Sequence, residues 1–337
     1  MNILVTGANG FVGTALCAEL LQSTPHTLFA AHRRPPQNFL PGLKPLSIRD
    51  LSDLTPHLPQ IDAIVHLAAR VHQMHDTALD PLAAFRAVNS TATAQLAQAA
   101  AQAGVKRFIY LSSIKVNGEH TLPGQPFTAQ DPPHPQDPYG ISKAEAEIQL
   151  RQIAQETGLE VVIIRPPLIY GPGVKANFRS LITWVDRGLP LPLGAIDNRR
   201  SLVALPNLVD LILTCLTHPA AAHQTFLVSD DHDLSTTDLL KTMARAMGKP
   251  SRLIPIPSPW LQTLATLVGK PAVAQRLCSS LQVDIRPTQH RLNWIPPVSV
   301  DEAMVATVRG CKAGKGARRK GGVGNGEIGS GAFRREF

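Results

Sequence analysis

Apolar positions in the first half of this chain fall into two alternating patterns. Residues 2–6, 27–32, 61–67, 107–111 and 160–165 are short β-rich runs; the last is almost wholly β-branched and is stopped by Pro166 and Pro167. Between them, residues 11–21, 81–103 and 138–155 carry apolar or alanine-rich positions at helical spacing, and Gly104 and Gly158 stand where two of these helices should end. Apolar strands alternating with helices predict an α/β, doubly wound parallel sheet covered on both faces. After Gly171 the pattern loosens. Proline recurs in Leu189-Pro190-Leu191-Pro192 and Ile254-Pro255-Ile256-Pro257, and helical stretches remain near 207–216, 235–247 and 260–268. Residues 225–228 read as a strand returning to the sheet.

A length of 337 residues, 44% apolar and 17% charged, allows one large domain or two coupled ones in a soluble globular chain. The formal charge of +8 raises the question of nucleic acid. Its placement answers it. Residues 309–337 hold eight Lys/Arg and two Glu, a net +6, so the body is close to neutral and no nucleic-acid partner is expected. With nine glycines in 29 residues, this tail is expected to be disordered. Runs such as 159–164 are too short to span a bilayer, so no integral membrane segment is expected. No basic, then apolar, segment precedes the first strand, so no secretory signal is expected. Cys17, Cys215, Cys278 and Cys311 lie far apart without C-x-x-C spacing and read as reduced thiols of a cytoplasmic protein. His66, His72, His75 and the other histidines lack metal-ligand spacing, so no metal is expected.

The segment Thr6-Gly7-Ala8-Asn9-Gly10-Phe11-Val12-Gly13 follows a strand and opens a helix. Glycines there permit a sharp turn, backbone approach to a pyrophosphate and close helix–strand packing, while the helix N-terminus offers N–H groups to phosphates. The sheet is therefore expected to be Rossmann-type, with a dinucleotide-binding part at 1–170 joined by 206–230 and a smaller, interleaved C-terminal substrate-binding lobe at 171–308. At the end of the second strand, where NAD selection places a carboxylate, the chain reads Ala31-His32-Arg33-Arg34. Either these guanidinium groups pair with a 2′-phosphate or they are solvated loop residues. The first choice makes NADP(H) slightly favoured over NAD. Asp50, followed by Leu51, stands where it could accept from the adenine amino group.

Tyr139 and Lys143 share one helix face at a spacing of four. A nearby ammonium stabilises a phenolate, which lets a tyrosine move the proton of a carbinol. Ser112 and Ser113 end a strand at the carboxyl edge of the sheet, where a hydroxyl can meet the reacting oxygen.

Together with His66-Leu67-Ala68-Ala69, with Asn89 in Ala87-Val88-Asn89-Ser90-Thr91, and with the run from Arg165 to Gly173, these motifs resemble the extended short-chain dehydrogenase/reductase family, in its nucleotide-sugar epimerase, dehydratase and reductase branch. The resemblance runs from about residue 1 to 308. It implies that Tyr139 is the acid/base, Lys143 its activator and Ser113 the hydroxyl orienting the substrate. It implies a cofactor site of Gly7, Gly10, Phe11, Val12, Gly13, Ala68, Ala69, Asn89 and Pro166, with Tyr139 and Lys143. Asn177 and Arg200 are implied as contacts for a nucleotide-diphosphate sugar. Asn117 replaces a tyrosine of the family pattern, which questions a substrate contact there. Ile114 and Lys115 stand where the family's dehydratases carry Asp-Glu, which argues against dehydration. The resemblance thus implies a UDP-sugar 4-epimerase or 4-keto-reductase of surface-polysaccharide precursors, dimeric through the helices at 81–103 and 138–155. A non-catalytic NAD(P)-binding sensor or scaffold of the same fold is the alternative.

Overall fold

The computed structural model describes residues 1–33, 40–71, 80–267, 269 and 271–320, with side chains at all of these except 271–272 and 313–320. In chain order the elements begin with β1 (Asn2–Thr6), α1 (Phe11–Ser23), β2 (Thr27–His32), β3 (Leu43–Ser47), a 3-10 segment (Leu51–Gln60) and β4 (Ala63–His66). Then come α2 (Pro81–Arg86), a π-helical turn (Ala87–Thr91), α3 (Ala92–Gln102), β5 (Arg107–Leu111), α4 (Pro138–Thr157) and β6 (Glu160–Arg165). The second half holds β7 (Leu168–Tyr170), α5 (Ala176–Asp186), β8 (Leu202–Ala204), α6 (Leu205–Thr217), β9 (Thr225–Leu227), α7 (Thr236–Ala246), α8 (Ser258–Leu267), α9 (Pro271–Cys278), α10 (Arg286–Leu292) and α11 (Val300–Lys320).

Seven strands form one parallel sheet in the order β3-β2-β1-β4-β5-β6-β9. The predicted return strand is β9, which pairs with β6. Strand order reverses between β1 and β4, and ligands of such sheets bind in the crevice at that switch point. Register brings the carboxyl ends level: Thr6 pairs with His66, His66 with Tyr110, and Leu111 with Ile164.

The strands are apolar throughout because alternate residues serve two different cores. Ile3, Val5, Val65, Ile109, Val162 and Ile164 pack with α1 and α6 on one face. Leu4, Ile64, Phe108, Tyr110, Val161 and Ile163 pack with the 3-10 segment, α3 and α4 on the other. Each fully buried aliphatic side chain contributes about 1.5–3 kcal/mol. A third cluster joins Tyr170, Phe178, Ile182, Leu240, Met243 and Met304 into the smaller lobe, alongside a two-stranded parallel sheet of β7 and β8.

Three differences from the sequence pattern have physical reasons. The helix at 81–103 is interrupted by the π-helical turn, whose wider backbone carries the buried Asn89 and Ser90. The strand expected at 61–67 is shorter, β4 at Ala63–His66, because the backbone beyond it leaves the sheet toward the glycine loop. The disorder expected from residue 309 onward is corrected for its first part: α11 continues to Lys320, Cys311 is buried, and Gly310 lies against Pro172. The glycine-rich composition hid this, since Gly310 is small in order to allow that approach. Residues 321–337 fall outside the described residues.

Gly310 yields a prediction whose sign separates a packed helix from a solvated tail. On an open helix, Gly→Ala stabilises by about 1 kcal/mol. Here a Cβ would stand 2.8 Å from Pro172 Cβ and 2.9 Å from its Cα. Gly310→Ala should therefore lower the melting temperature; a rise would show that this part of the chain is not docked.

Candidate active site

The glycine loop is built by close approach. Gly7 has φ +70°, and a Cβ on it would meet the Ala68 amide nitrogen at 2.8 Å. A Cβ on Gly13 would overlap the Gly7 carbonyl and lie 2.8 Å from Ala8 Cα. The turn closes with the Gly10 N–H donating to the Gly7 carbonyl at 2.9 Å. Gly10 caps α1 with no side-chain hydrogen bond, and the first turn, which holds Phe11, Val12 and Gly13, carries no acid. Its amide groups and dipole are thus available to an anion, so these residues fit a dinucleotide pyrophosphate.

Beneath the loop, His66 is fully buried between Thr6 and Thr93, with Nδ1 2.7 Å from Thr6 Oγ1 and Nε2 3.0 Å from Thr93 Oγ1. Burial, aided by the charge of Lys143, lowers its pKa to about 3 and keeps the ring neutral. Thr6 Oγ1 also accepts from the Ala68 amide at 3.3 Å, which fixes the half-buried Ala68-Ala69 backbone beside the glycine loop. Asn89 clamps the same segment. Its amide donates to the Arg70 carbonyl and the Ser142 hydroxyl, both at 3.0 Å, and its carbonyl accepts from Arg70 N–H at 2.8 Å. Implied as a cofactor contact, Asn89 is seen here to tie the loop after β4 to helix α4.

Helix α4 begins where Asp137 caps it, accepting from Gly140 N–H at 2.6 Å, with Pro138 at the first helical position. Tyr139 is thereby held at the positive end of the helix dipole and hydrogen-bonds Ser113. Its pKa is raised to about 12, chiefly by burial, then by the Asp137 charge, with Ser113 acting in the opposite sense. One turn on, the Lys143 ammonium is 2% exposed, donates to the Leu111 carbonyl at 2.8 Å and lies 4.5 Å from the Tyr110 ring centroid. Its distance to the Tyr139 ring centroid is 5.9 Å. Burial lowers its pKa to about 7, and the carboxylate of Glu147 opposes that shift. Ser113, Tyr139 and Lys143 thus converge at the carboxyl edge of β5, facing the glycine loop across the switch point.

A further turn along the same face, the sequence pattern passed over a buried polar network. Glu147, 1% exposed, accepts from Ser112 Oγ at 2.6 Å, from Arg165 Nε and Nη2 at 2.9 and 2.6 Å, and from Arg151 at 2.9 Å. Arg165 also donates to Asn117 Oδ1 at 2.8 Å, and the Asn117 amide donates to the Thr128 carbonyl at 2.7 Å. Removing one partner of such a pair costs about 3–5 kcal/mol, because the other charge stays buried alone. The extension of the four-residue spacing, Tyr139, Lys143, Glu147, Arg151, was the available signal. Asn117 faces this network, which accounts for the missing tyrosine.

The remaining candidates are spread around the cleft. Ile114 is buried, and Lys115 is held by Glu119 at 2.9 Å and Asp137 at 2.5 Å. Pro166 is buried and accepts from Ile114 N–H at 3.0 Å. Arg33 is exposed at the end of β2, and Arg34 lies outside the described residues, as do His72 and His75. Asp50 caps the 3-10 segment through the Ser52 amide at 2.9 Å, followed by the half-buried Leu51. In the second lobe Asn177 is exposed in the first turn of α5. Arg200 Nη1 donates to the carbonyls of Arg276 and Ser279, both at 3.0 Å. Burial lowers the pKa of Arg200, and the charge of Glu119 acts against this. Among the described residues no group of three or more His, Cys, Asp or Glu could hold a metal.

A phosphate-ready glycine loop facing a Ser–Tyr–Lys group across the switch point of a parallel sheet defines an extended short-chain dehydrogenase/reductase. Residues 3–228 match the NAD dependent epimerase/dehydratase family, and the chain belongs to it. It is 46% identical over 312 residues to a UDP-glucose 4-epimerase of Vibrio cholerae, covering 91% of this chain and 94% of that protein. It is 28% identical over 330 residues to N-acetyl-alpha-D-glucosaminyl-diphospho-ditrans,octacis-undecaprenol 4-epimerase of Escherichia coli O157:H7, at 91% and 94% coverage. The solved UDP-glucuronic acid 4-epimerase of Bacillus cereus in complex with NAD shares the fold, with a TM-score of 0.75 at 21% identity over 93% of this chain and 99% of that one.

The Lys143 environment predicts a pH dependence of stability. The folded pKa, about 7, lies below the ordinary 10.5. Between these values the unfolded chain binds more protons, so folding stability rises with pH across that window. At pH 6 the buried charge costs on the order of 4–5 kcal/mol. Lys143→Met should be the more stable protein at pH 6, with the difference shrinking toward pH 10. Parallel stability curves for the two proteins would refute this reading of Lys143.

Proposed function

We propose that this enzyme inverts C4 of a UDP-linked hexose by oxidation and re-reduction, a 4-epimerase. The observation that carries the reading is the Ser113–Tyr139–Lys143 group set against the glycine loop, joined to the 46% identity with a UDP-glucose 4-epimerase. The glycine loop and the first turn of α1 would hold NAD(P), which would supply the hydride acceptor in one half-reaction and the donor in the other. Ser113 orients the C4 oxygen, and Tyr139 takes its proton and later returns it. Burial holds the pKa of Tyr139 up at about 12, so taking that proton depends on stabilising the phenolate. The Lys143 ammonium and the helix dipole stabilise the phenolate when the proton leaves. Arg200 and Asn177 hold the diphosphate end of the substrate, an arginine suiting phosphate oxygens in a partly desolvated cleft. Lys115, paired with Glu119 and Asp137, leaves no acid at the place a dehydratase would use, which favours epimerisation over elimination.

A 4-keto-reductase is the second reading, favoured by exposed Arg33 and the absence of an acid at the end of β2. Arg33 and Arg34 would then pair with the 2′-phosphate of NADP(H), and Asp50 and Leu51 would border the adenine. The enzyme acts in the cytoplasm on precursors of surface polysaccharide. It forms a homodimer through α2 to α4, where Ile148 is exposed.

Purified protein incubated with UDP-glucose or UDP-galactose should interconvert them without added coenzyme. Tyr139→Phe should keep its melting temperature and lose about 10²–10⁴-fold in turnover. Near-parental turnover in that variant would remove Tyr139 from the chemistry. Net reduction of a 4-keto sugar strictly dependent on added NADPH, and weakened by Arg33→Ala, would select the reductase. No turnover of either kind with bound coenzyme would select a sensor or scaffold.

A further inference from the structure

The Ser113–Tyr139–Lys143 chemistry leaves Lys115 without a task, although it stands beside all of it. Lys115 lies in the 3-10 turn Ile114–Val116, capped by Ser113. That turn is pressed onto the start of α4: a Cβ on Gly140 would stand 2.9 Å from the Lys115 carbonyl oxygen and 3.1 Å from Asp137 Oδ1. The Lys115 N–H donates to Ser113 Oγ at 3.3 Å. Its ammonium reaches across to Asp137 Oδ2 at 2.5 Å and to Glu119 Oε1 at 2.9 Å. The side chains of Lys115, Glu119 and Asp137 are 37%, 31% and 29% exposed, so water screens this cluster only in part.

Asp137 serves two neighbours with opposite needs. The helix gains from a carboxylate at its cap, where Oδ1 accepts from Gly140 N–H at 2.6 Å. Tyr139 follows two residues later, and a negative charge there opposes its phenolate. The other charged and titratable groups around Tyr139 are each accounted for. On α4, Lys143 favours the phenolate, Glu147 is matched by Arg165, and Glu145 pairs with Arg86 of α2. Phe85 of α2 lies edge-on to Tyr139 with Arg70 over its ring, and β5 contributes Tyr110, itself pushed up by burial. His120 and His134, on the loops that flank the cluster, are exposed. Asp137 is the carboxylate whose charge holds the Tyr139 phenol protonated.

We propose that Lys115 is a positioning residue for the proton transfer: by pairing with the capping carboxylate of Asp137, it keeps that charge from opposing the Tyr139 phenolate. The proposal rests on the acid/base reading of Tyr139. Lys115, Glu119 and Asp137 together carry a net charge of −1, and without the lysine the two acids carry −2.

The test is the pH profile of kcat/KM for UDP-galactose with the holoenzyme. Oxidation starts from the basic form of Tyr139, so the rate rises with pH. In Lys115→Met the rising limb should move up by about one pH unit, with about a tenfold loss below it and little change in KM. Lys115→Arg should keep the parental limb. Asp137→Asn retains a capping side chain and should move the limb down. Lys115→Met combined with Asp137→Asn restores the net −1 and should return the limb to its parental place. A second readout needs no turnover. The chain has three tyrosines, and the Cζ signal of Tyr139 in protein made with isotope-labelled tyrosine, assigned through Tyr139→Phe, should titrate lowest in Asp137→Asn and highest in Lys115→Met. The proposal is overturned if Lys115→Met keeps the parental limb, or if it loses activity through KM with the limb unmoved, which would make Lys115 a substrate contact. It is also overturned if Asp137→Asn moves neither limb nor signal, or if the double variant stays with Lys115→Met. Near-parental turnover of Tyr139→Phe would overturn the acid/base reading and the proposal with it. A parental limb in Lys115→Met beside an inactive Tyr139→Phe would overturn the proposal alone.

Discussion

An ammonium group kept out of water sets the terms for the rest of this site. Lys143 sits under the carboxyl edge of the sheet, with a backbone carbonyl and an aromatic face for company and a pKa drawn down to about 7. Such a group is tolerated only where the fold supplies compensation. Here the compensation is layered along α4. Glu147 stands one turn behind Lys143, and its own charge is matched by the buried Arg165. Arg165 in turn fixes Asn117 and the loop that leads from Ser113. The same helix presents Tyr139 at its first turn, so the Tyr139 hydroxyl, the Lys143 ammonium and the Glu147–Arg165 ion pair are held along one helix face.

The opposite wall depends on the absence of side chains. Gly7 and Gly13 let the loop after β1 press against the backbone after β4, and His66 and Asn89 hold that second backbone in place from below. Parallel register then does the remaining work. Because the ends of β1, β4, β5 and β6 are level, the phosphate-binding turn, the Ala68-Ala69 segment and the Ser113–Tyr139–Lys143 group line one crevice. In the smaller lobe the position of Arg200 is set by the carbonyls of Arg276 and Ser279.

Much of this was legible in the sequence because it rests on local rules. Continuous apolar strands, a glycine-rich turn and a four-residue spacing on a helix are each visible without tertiary information, and they placed the sheet, the glycine loop and the Ser113–Tyr139–Lys143 group. What escaped reading depends on long-range partners. Asn89 reads only as an implied cofactor contact within the helix at 81–103 until the Arg70 backbone is brought to it across nineteen residues. Glu147 and Arg165 read as an ordinary helix acid and a strand-end base until the sheet places them together. The tail misled for the opposite reason: glycine-rich composition normally marks disorder, yet Gly310 is small because Pro172 lies against it.

The central claim is that C4 chemistry here proceeds by redox at a tyrosine-held oxygen. The most direct test is conversion of UDP-glucose carrying deuterium at C4, followed by NMR of the product. The account predicts inversion at C4 with the deuterium retained there and a slower rate than for unlabelled substrate. Inversion with the label lost to solvent, or no inversion at any coenzyme supply, would contradict it.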